Sequence, residues 1–285
     1  MKPDLVISTM NWGTNGKNFS IDQSADLIKE CYNENLLKFD LVNISGDYSV
    51  ENLFGNALQK TGINRDNIKI STKCGILYYQ SGFNNKIKTY NTSKKHIITT
   101  VDNTLQNLKT NYIDVLFIQG QDYLINLEEL GTTFTELKLS GKVKYFGVCN
   151  FSTFAFDALN KKIPLITNQI EFSLIKPLAL FNETLLQLGY LNKKTQIYSP
   201  LGNYFSNKTN SNQKLNEALA VMAKKYDASI NQILLAWTLK PPYKITPILG
   251  STNIERIKLQ SKAFNIKLSL EDWYKLLELS TEKTF

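Results

Sequence analysis

The eight residues V-L-F-I-Q-G-Q-D at positions 115–122 set a short apolar run against an abrupt polar turn. Val, Leu, Phe and Ile in succession leave no polar face. Val115–Ile118 therefore reads as a strand buried on both sides, as in a parallel sheet covered by helices. Seven more runs of this kind flank it: Leu5–Met10, Lys38–Val42, Ile68–Thr72, Tyr145–Cys149, Leu165–Glu171, Gln196–Ser199 and Ile245–Leu249. The stretches between them repeat with the helical period. Ser20–Asn35 gathers Ile21, Ala25, Leu27, Ile28 and Cys31 along one side, and Ser93–Lys109 gathers Ile97, Ile98, Val101, Leu105 and Leu108. Leu215–Tyr226 does the same with Leu215, Leu219, Val221, Met222 and Tyr226, while Asn231–Leu239 is apolar nearly all round, as a buried helix is.

Eight strand-like runs alternating with helices over 285 residues predict an α/β fold, a (β/α)8 TIM barrel, in a single domain. A doubly wound sheet is the competitor, but it would place G-x-G-x-x-G after the first strand. The first run leads instead to Asn11-Trp12-Gly13-Thr14-Asn15-Gly16. No internal repeat or linker interrupts the pattern. Leu77–Thr92, rich in Tyr, Asn and Lys, predicts a lid after the third strand, and Tyr204–Asn212 predicts an exposed loop.

Hydrophobic residues make up 42% of the chain, enough for a sizeable core. The net charge of +8 is spread along the chain and forms no basic stripe, which argues against a nucleic-acid partner. No apolar run reaches the roughly 18 residues that a membrane span needs. The N-terminal M-K-P-D-L-V-I-S-T-M lacks the pattern of a signal peptide, so a cytoplasmic location is expected. Cys31, Cys74 and Cys149 are far apart and show no metal spacing, so they read as buried free thiols.

In such barrels chemistry sits where strands end. Those ends carry Asp40, Lys73, Gln119, Asn150, Gln169, Ser199 with Gly202, and the segment P-I-L-G-S-T-N-I-E-R from Pro247 to Arg256. A carboxylate beside an ammonium keeps it charged, and the ammonium can then stabilise a developing oxyanion. The same two residues also read as a structural ion pair that orders two loops.

The set as a whole adds a further constraint. Phe39-Asp40, Glu51 with Phe54-Gly55, Arg65 and Ser71-Thr72-Lys73-Cys74-Gly75 are followed by Gly141-Lys142-Val143 and Phe146-Gly147-Val148. Asn150-Phe151, Thr167-Asn168-Gln169, Pro247 to Ser251 and Arg256 complete it. In order and spacing, from about Leu5 to about Trp273, this resembles the aldo-keto reductase family. The resemblance implies a bound NADPH/NADP+, extended across the barrel mouth without a Rossmann motif. It assigns Asn150 and Gln169 to the nicotinamide carboxamide, Ser199, Leu201 and Gly202 to the pyrophosphate, and Gly250, Ser251 and Arg256 to the adenosine phosphate end.

That family's catalytic tetrad is Asp, Tyr, Lys and His. Asp40 and Lys73 match it. Where the family has F-D-x-A-x-x-Y-G, residues 39–46 read F-D-L-V-N-I-S-G, so Ser45 stands in place of the proton-donating Tyr while Gly46 keeps the register. Gln119 stands in place of the His. Tyr48 belongs to the loop beyond, and His96, the sole histidine, lies near a helix start outside the set. Losing a general acid costs about 10²- to 10⁴-fold in rate. Gln119 can still donate a hydrogen bond to a carbonyl oxygen.

Three functions fit. The first is an oxidoreductase that transfers hydride from NADPH to a carbonyl or sugar-type small molecule with non-standard proton donation. The second is an NADP(H)-binding pseudoenzyme. The third, and weakest, is a non-redox enzyme using Lys73 and Asp40. Trp12, Tyr48 and Tyr204 are the substrate-loop candidates, their rings suiting a flat or sugar-like ligand. The sequence sets no oligomeric state.

Overall fold

The structure, a computed structural model, describes residues 4–77, 87–205 and 212–282. Most of the expected lid, and the centre of the expected loop at Tyr204–Asn212, lie outside the described residues. The barrel strands are β1 (Val6–Ser8), β2 (Lys38–Asp40), β3 (Lys69–Cys74), β4 (Ile113–Gln119), β5 (Val143–Cys149), β6 (Leu165–Glu171), β7 (Lys194–Tyr198) and β8 (Ile245–Leu249). They form one sheet in the order β1-β8-β7-β6-β5-β4-β3-β2, and the sheet closes. This is the (β/α)8 barrel; the doubly wound alternative is excluded.

Strand boundaries differ from the apolar runs at several ends: β1 and β2 are shorter, and β3 and β4 reach further. β3 continues through Lys73 and Cys74, and β4 runs from Ile113 to Gln119. Backbone pairing does not stop where side chains turn polar, so the registers Lys73↔Phe117 and Gln119↔Cys149 extend the ladder to the strand ends. Ile76–Leu77 and Thr89–Tyr90 add a small antiparallel pair. Helix limits follow local caps. Ser20 and Ser229 each form a capping box, with Gln23 and Gln232, at the starts of helices Ile21–Asn33 and Ile230–Leu239. Lys94–Leu108 starts at the Ser93 cap and ends at Lys109, whose φ of 52° is left-handed.

The chain falls into two compact units. The first spans Val6–Gln169 with Gly250–Ile254. Its core includes Trp12, Phe39 and Phe54, whose rings lie 5.9 Å (Trp12–Phe54) and 5.2 Å (Phe39–Phe54) apart. The second spans Met1–Leu5, Ile170–Leu249 and Glu255–Phe285. Here Trp237 and Trp273 stack at 5.0 Å with an interplanar angle of 3°. Each indole N–H donates to the other residue's carbonyl, at 3.1 and 3.0 Å, so both polar edges are satisfied inside an apolar core. This pair fastens helix Ile230–Leu239 to helix Leu270–Thr281.

Period-two alternation gives β3 two jobs in the first unit. Ser71 and Lys73 face one way, towards Asp40. Thr72 faces the other and donates to Glu51 Oε1 at 2.6 Å. Glu51, buried on helix Val50–Thr61, also accepts from Thr104 Oγ1 at 3.0 Å. Burial pushes its carboxyl above the usual range, and the bonds from Thr72, Thr104 and Asn107 only partly offset this. A raised native pKa means that the folded chain holds this proton more tightly than the unfolded one. The stability from Glu51 is therefore complete below the unfolded carboxyl pKa of about 4.3 and is lost as pH rises through the native value. Glu51→Gln removes that dependence. Melting temperatures of the two proteins measured from pH 4 to 8 should shift in favour of the variant as pH rises; parallel curves would refute the assignment.

Candidate active site

β2 and β3 end side by side, with Asp40 paired in register with Ser71. Asp40 Oδ2 accepts from Lys73 Nζ at 2.5 Å, and both side chains are 5% exposed. Two further bonds hold the pair. Ser71 Oγ donates to Asp40 Oδ1 at 2.7 Å, and Lys73 Nζ donates to the Leu41 carbonyl at 3.2 Å. Burying an ion pair costs several kcal/mol per charge unless such bonds satisfy the remaining sites. Lys73 has three N–H groups, and these two contacts use two of them. The ammonium also lies 5.6 Å from the Phe117 ring centroid on β4.

The next polar groups continue around the same face. Gln169, buried at the end of β6, donates from Nε2 towards Asp40 Oδ1 at 3.4 Å, and Cys149 Sγ lies 3.8 Å from Gln169 Oε1. Burial pushes the Cys149 thiol up to about 12, with the neighbouring Lys73 charge pulling the other way, so the thiol stays protonated and is no nucleophile at neutral pH. Gln119 is in register with Cys149, and its Oε1 is buried with no hydrogen-bond partner among the described residues. Asn150 follows directly. It is exposed, its φ of 55° is left-handed, and its backbone N–H donates to the Gln169 carbonyl at 2.9 Å.

Ser45 opens the turn after β2, where its N–H donates to the Val42 carbonyl at 2.9 Å, and its side chain is nearly buried. Gly46, Asp47 and Tyr48 then adopt three left-handed conformations in a row, with φ of 58°, 55° and 66°. For Asp47 and Tyr48 this is strained backbone. Gly46 is required twice over, because a Cβ there would also meet Ser49 Oγ at 2.9 Å and Gly13 Cα at 3.1 Å. The loop after β1 and the loop after β2 thus touch through their backbones. Trp12 is fully buried against Phe19 and Phe54, with Nε1 unpartnered among the described residues. Of the substrate-loop candidates, Trp12 is thus packed into the core of this unit.

Gly250 and Ser251 belong to the same unit. The Gly250 carbonyl accepts from Asn11 Nδ2 at 3.2 Å, and Ser251 Oγ closes a short turn onto Asn253 N at 3.3 Å. In the second unit Ser199 has a left-handed φ of 50°, and the Gly202 N–H donates to its carbonyl at 2.8 Å, a tight turn that includes Leu201. A Cβ on Gly202 would meet Ser173 Oγ at 2.6 Å. Tyr204 donates its hydroxyl to Asn216 Oδ1 at 2.6 Å, and Arg256 lies exposed on helix Ile254–Ser261. His96 sits half-buried in the first turn of its helix with Thr100 3.5 Å from Nε2, and burial lowers its pKa.

Two structural roles were not read from the sequence. Ser71 anchors Asp40, and the signal was the S-T-K run, since period two puts Ser71 and Lys73 on one face. Asn168 clamps the Phe151 backbone, accepting from its N–H at 3.3 Å and donating to its carbonyl at 2.9 Å; nothing in T-N-Q-I-E announces this.

Comparison with known proteins agrees with the barrel fold. The model of the Aldo/keto reductase family matches residues 4–281. The uncharacterized oxidoreductase YcsN of Bacillus subtilis is 36% identical over 271 residues, covering 93% of this chain and 90% of the relative. The 6-dehydroglucose reductase of Agrobacterium fabrum is 33% identical over 261 residues, covering 90% and 87%. Among solved structures, a thermostable aldo-keto reductase in complex with the inhibitor epalrestat superposes with a TM-score of 0.79 at 25% identity, covering 97% of this chain and 95% of that one.

The burial of both charges sets an expectation for stability. Lys73→Met leaves the Asp40 carboxylate buried without its cation and should cost about 3–5 kcal/mol in urea unfolding. The double variant Asp40→Leu with Lys73→Met should recover most of that loss. Equal instability of the single and double variants would show that the charge pair is not what the Met substitution disturbs.

Proposed function

The chain belongs to the aldo/keto reductase family, and on that premise we propose that it is an NADP(H)-dependent oxidoreductase acting on a hydroxylated, sugar-type carbonyl compound. The observation that supports this most is the intact Asp40–Lys73 pair, buried and fully anchored beside Gln169. The name of the Agrobacterium fabrum relative, a 6-dehydroglucose reductase, supports the substrate class.

The residues present suit the cofactor chemically. Gln169 is a buried primary amide at a strand end and can pair with a carboxamide, as can Asn150 beside it. Ser251 offers a hydroxyl at an open turn, and at Gly250 a Cβ would meet only Asn11 Nδ2, at 3.5 Å. In the second unit Ser199, Leu201, Gly202 and Arg256 are assigned to phosphate groups on the family resemblance, the planar guanidinium being suited to a phosphate dianion. When bound, the nicotinamide supplies hydride to the carbonyl carbon. This chain's own task is then to hold the carbonyl oxygen and return one proton to it.

Lys73 is the proton source on this reading. Its third N–H polarises the carbonyl oxygen directly, or through a water held with the Ser45 hydroxyl, and the developing alkoxide takes that proton while Asp40 keeps the amine oriented. Solvent restores the proton afterwards. A Ser hydroxyl is too weak an acid and too short to replace a phenol. Simple aldehydes are accordingly reduced slowly.

Ser45 and Gln119 together favour one second reading, an NADP(H)-binding protein without turnover. Two measurements separate them. Quenching of NADPH fluorescence reports binding, and loss of nicotinamide absorbance with a panel of sugar aldehydes and ketones reports turnover. Binding with no oxidation across the panel selects the second reading, and no binding removes both. Ser45→Tyr should raise the reduction of simple aldehydes about 10- to 100-fold. Arg256→Ala should weaken NADPH about tenfold and leave NADH unchanged, as loss of a charge-assisted phosphate contact does.

A further inference from the structure

Gln119, at the end of β4, carries a buried side-chain oxygen with no hydrogen-bond partner among the described residues. Its direction follows from the register. Lys73 and Phe117 are paired across β3 and β4 and make a cation–π contact, so Phe117 shares the face of Lys73. Gln119 lies two residues further along the same strand and so points to that face as well. Its neighbour in register is Cys149, whose thiol touches Gln169, and Gln169 in turn reaches Asp40. Gln119 therefore stands next to the chain of polar groups that ends at the ion pair.

Its chemistry differs from that of an imidazole. A neutral imidazole meets a ligand with one nitrogen, either donating or accepting. A primary amide presents N–H donors and a C=O acceptor in one plane, whichever way the group is turned. Here Oε1 is buried without a partner among the described residues, and a buried acceptor left unpaired costs about 1–3 kcal/mol. A simple aldehyde can use only the donor, because it has no hydrogen to give. A carbonyl compound with a hydroxyl on the adjacent carbon satisfies both halves: its C=O accepts from the amide N–H and its O–H donates to the amide oxygen.

We infer that Gln119 is the specificity-determining residue of this site, and that it selects α-hydroxycarbonyl compounds over carbonyl compounds lacking the hydroxyl. This rests on the oxidoreductase reading above. It goes further by naming the feature of the substrate that is recognised and the side chain that recognises it.

The test uses matched pairs that differ only in the hydroxyl: hydroxyacetone against acetone, and glycolaldehyde against acetaldehyde. Binding to the NADP+ complex is measured by saturation-transfer NMR titration, which needs no turnover, and kcat/KM with NADPH is measured alongside. The unmodified protein should favour the hydroxylated member about tenfold or more. Gln119→Leu should reduce that preference to within about threefold, mainly by weakening the hydroxylated member. Gln119→His, which keeps a donor, should retain the carbonyl contact and still lose the preference. Circular dichroism and thermal melting establish that each variant is folded, and either variant suffices if the other is not. Equal affinity for both members in the unmodified protein, binding of neither, or a preference that survives both substitutions would overturn the inference. Failure of NADPH to quench would instead bring down the oxidoreductase reading, and this inference with it.

Discussion

The buried contact between Asp40 and Lys73 is the constraint around which the first unit is organised. Two opposite charges that are almost wholly withdrawn from water are tolerable only if further hydrogen-bond engagements support the pair. Ser71, the Leu41 carbonyl and Gln169 provide those engagements. Each comes from a different part of the backbone, so β2, the segment after it, β3 and β6 must meet within tenths of an ångström. β3 is pinned from behind as well. Thr72, between the two inward residues, is tied to a buried carboxylate that also holds helix Lys94–Leu108 through Thr104. Lys73 cannot be displaced without pulling on a second polar cluster on the opposite side of the strand.

The aldo-keto reductase reaction has two halves, and the site treats them differently. Hydride delivery asks the protein for position, which Asn150 and Gln169 are suited to give. Proton delivery asks for a titratable group at one point in space, and on the proposed reading Ser45 stands there in place of the family's phenol. Ser45 and Gln119 are not random losses of polarity, since both keep hydrogen-bonding capacity. On the proposed reading the acid moves from a phenol to the ammonium that ordinarily assists it, and recognition of the oxygen moves from a ring nitrogen to an amide. Such a site trades breadth of substrate for dependence on what the substrate itself brings.

Much of this was legible before any coordinates. Strands buried on both faces give apolar runs that need no neighbour to be recognised, and the amphipathic stretches between them repeat at the helical period, so architecture and strand order followed. Asp40 and Lys73 were legible as an ion pair at two strand ends, which the structure shows; a catalytic reading came only from the family resemblance. Ser71 was not singled out, since a serine on a strand has many uses and only its register with Asp40 makes it a partner. The burial of Trp12 was not legible from its Gly-rich loop, because it depends on Phe19 and Phe54, which arrive from elsewhere in the chain. The full lengths of the strands were not legible, because hydrophobicity records burial, whereas a ladder records hydrogen bonds.

The contact between Gly13 and Gly46 has a mechanical meaning. Two loops that meet main chain to main chain, with Val50 Cγ2 packed against both, have little to absorb a displacement. Pressure on the first loop passes undamped to the peptide beside Ser45, so the rim on that side answers a ligand as a single stiff plate.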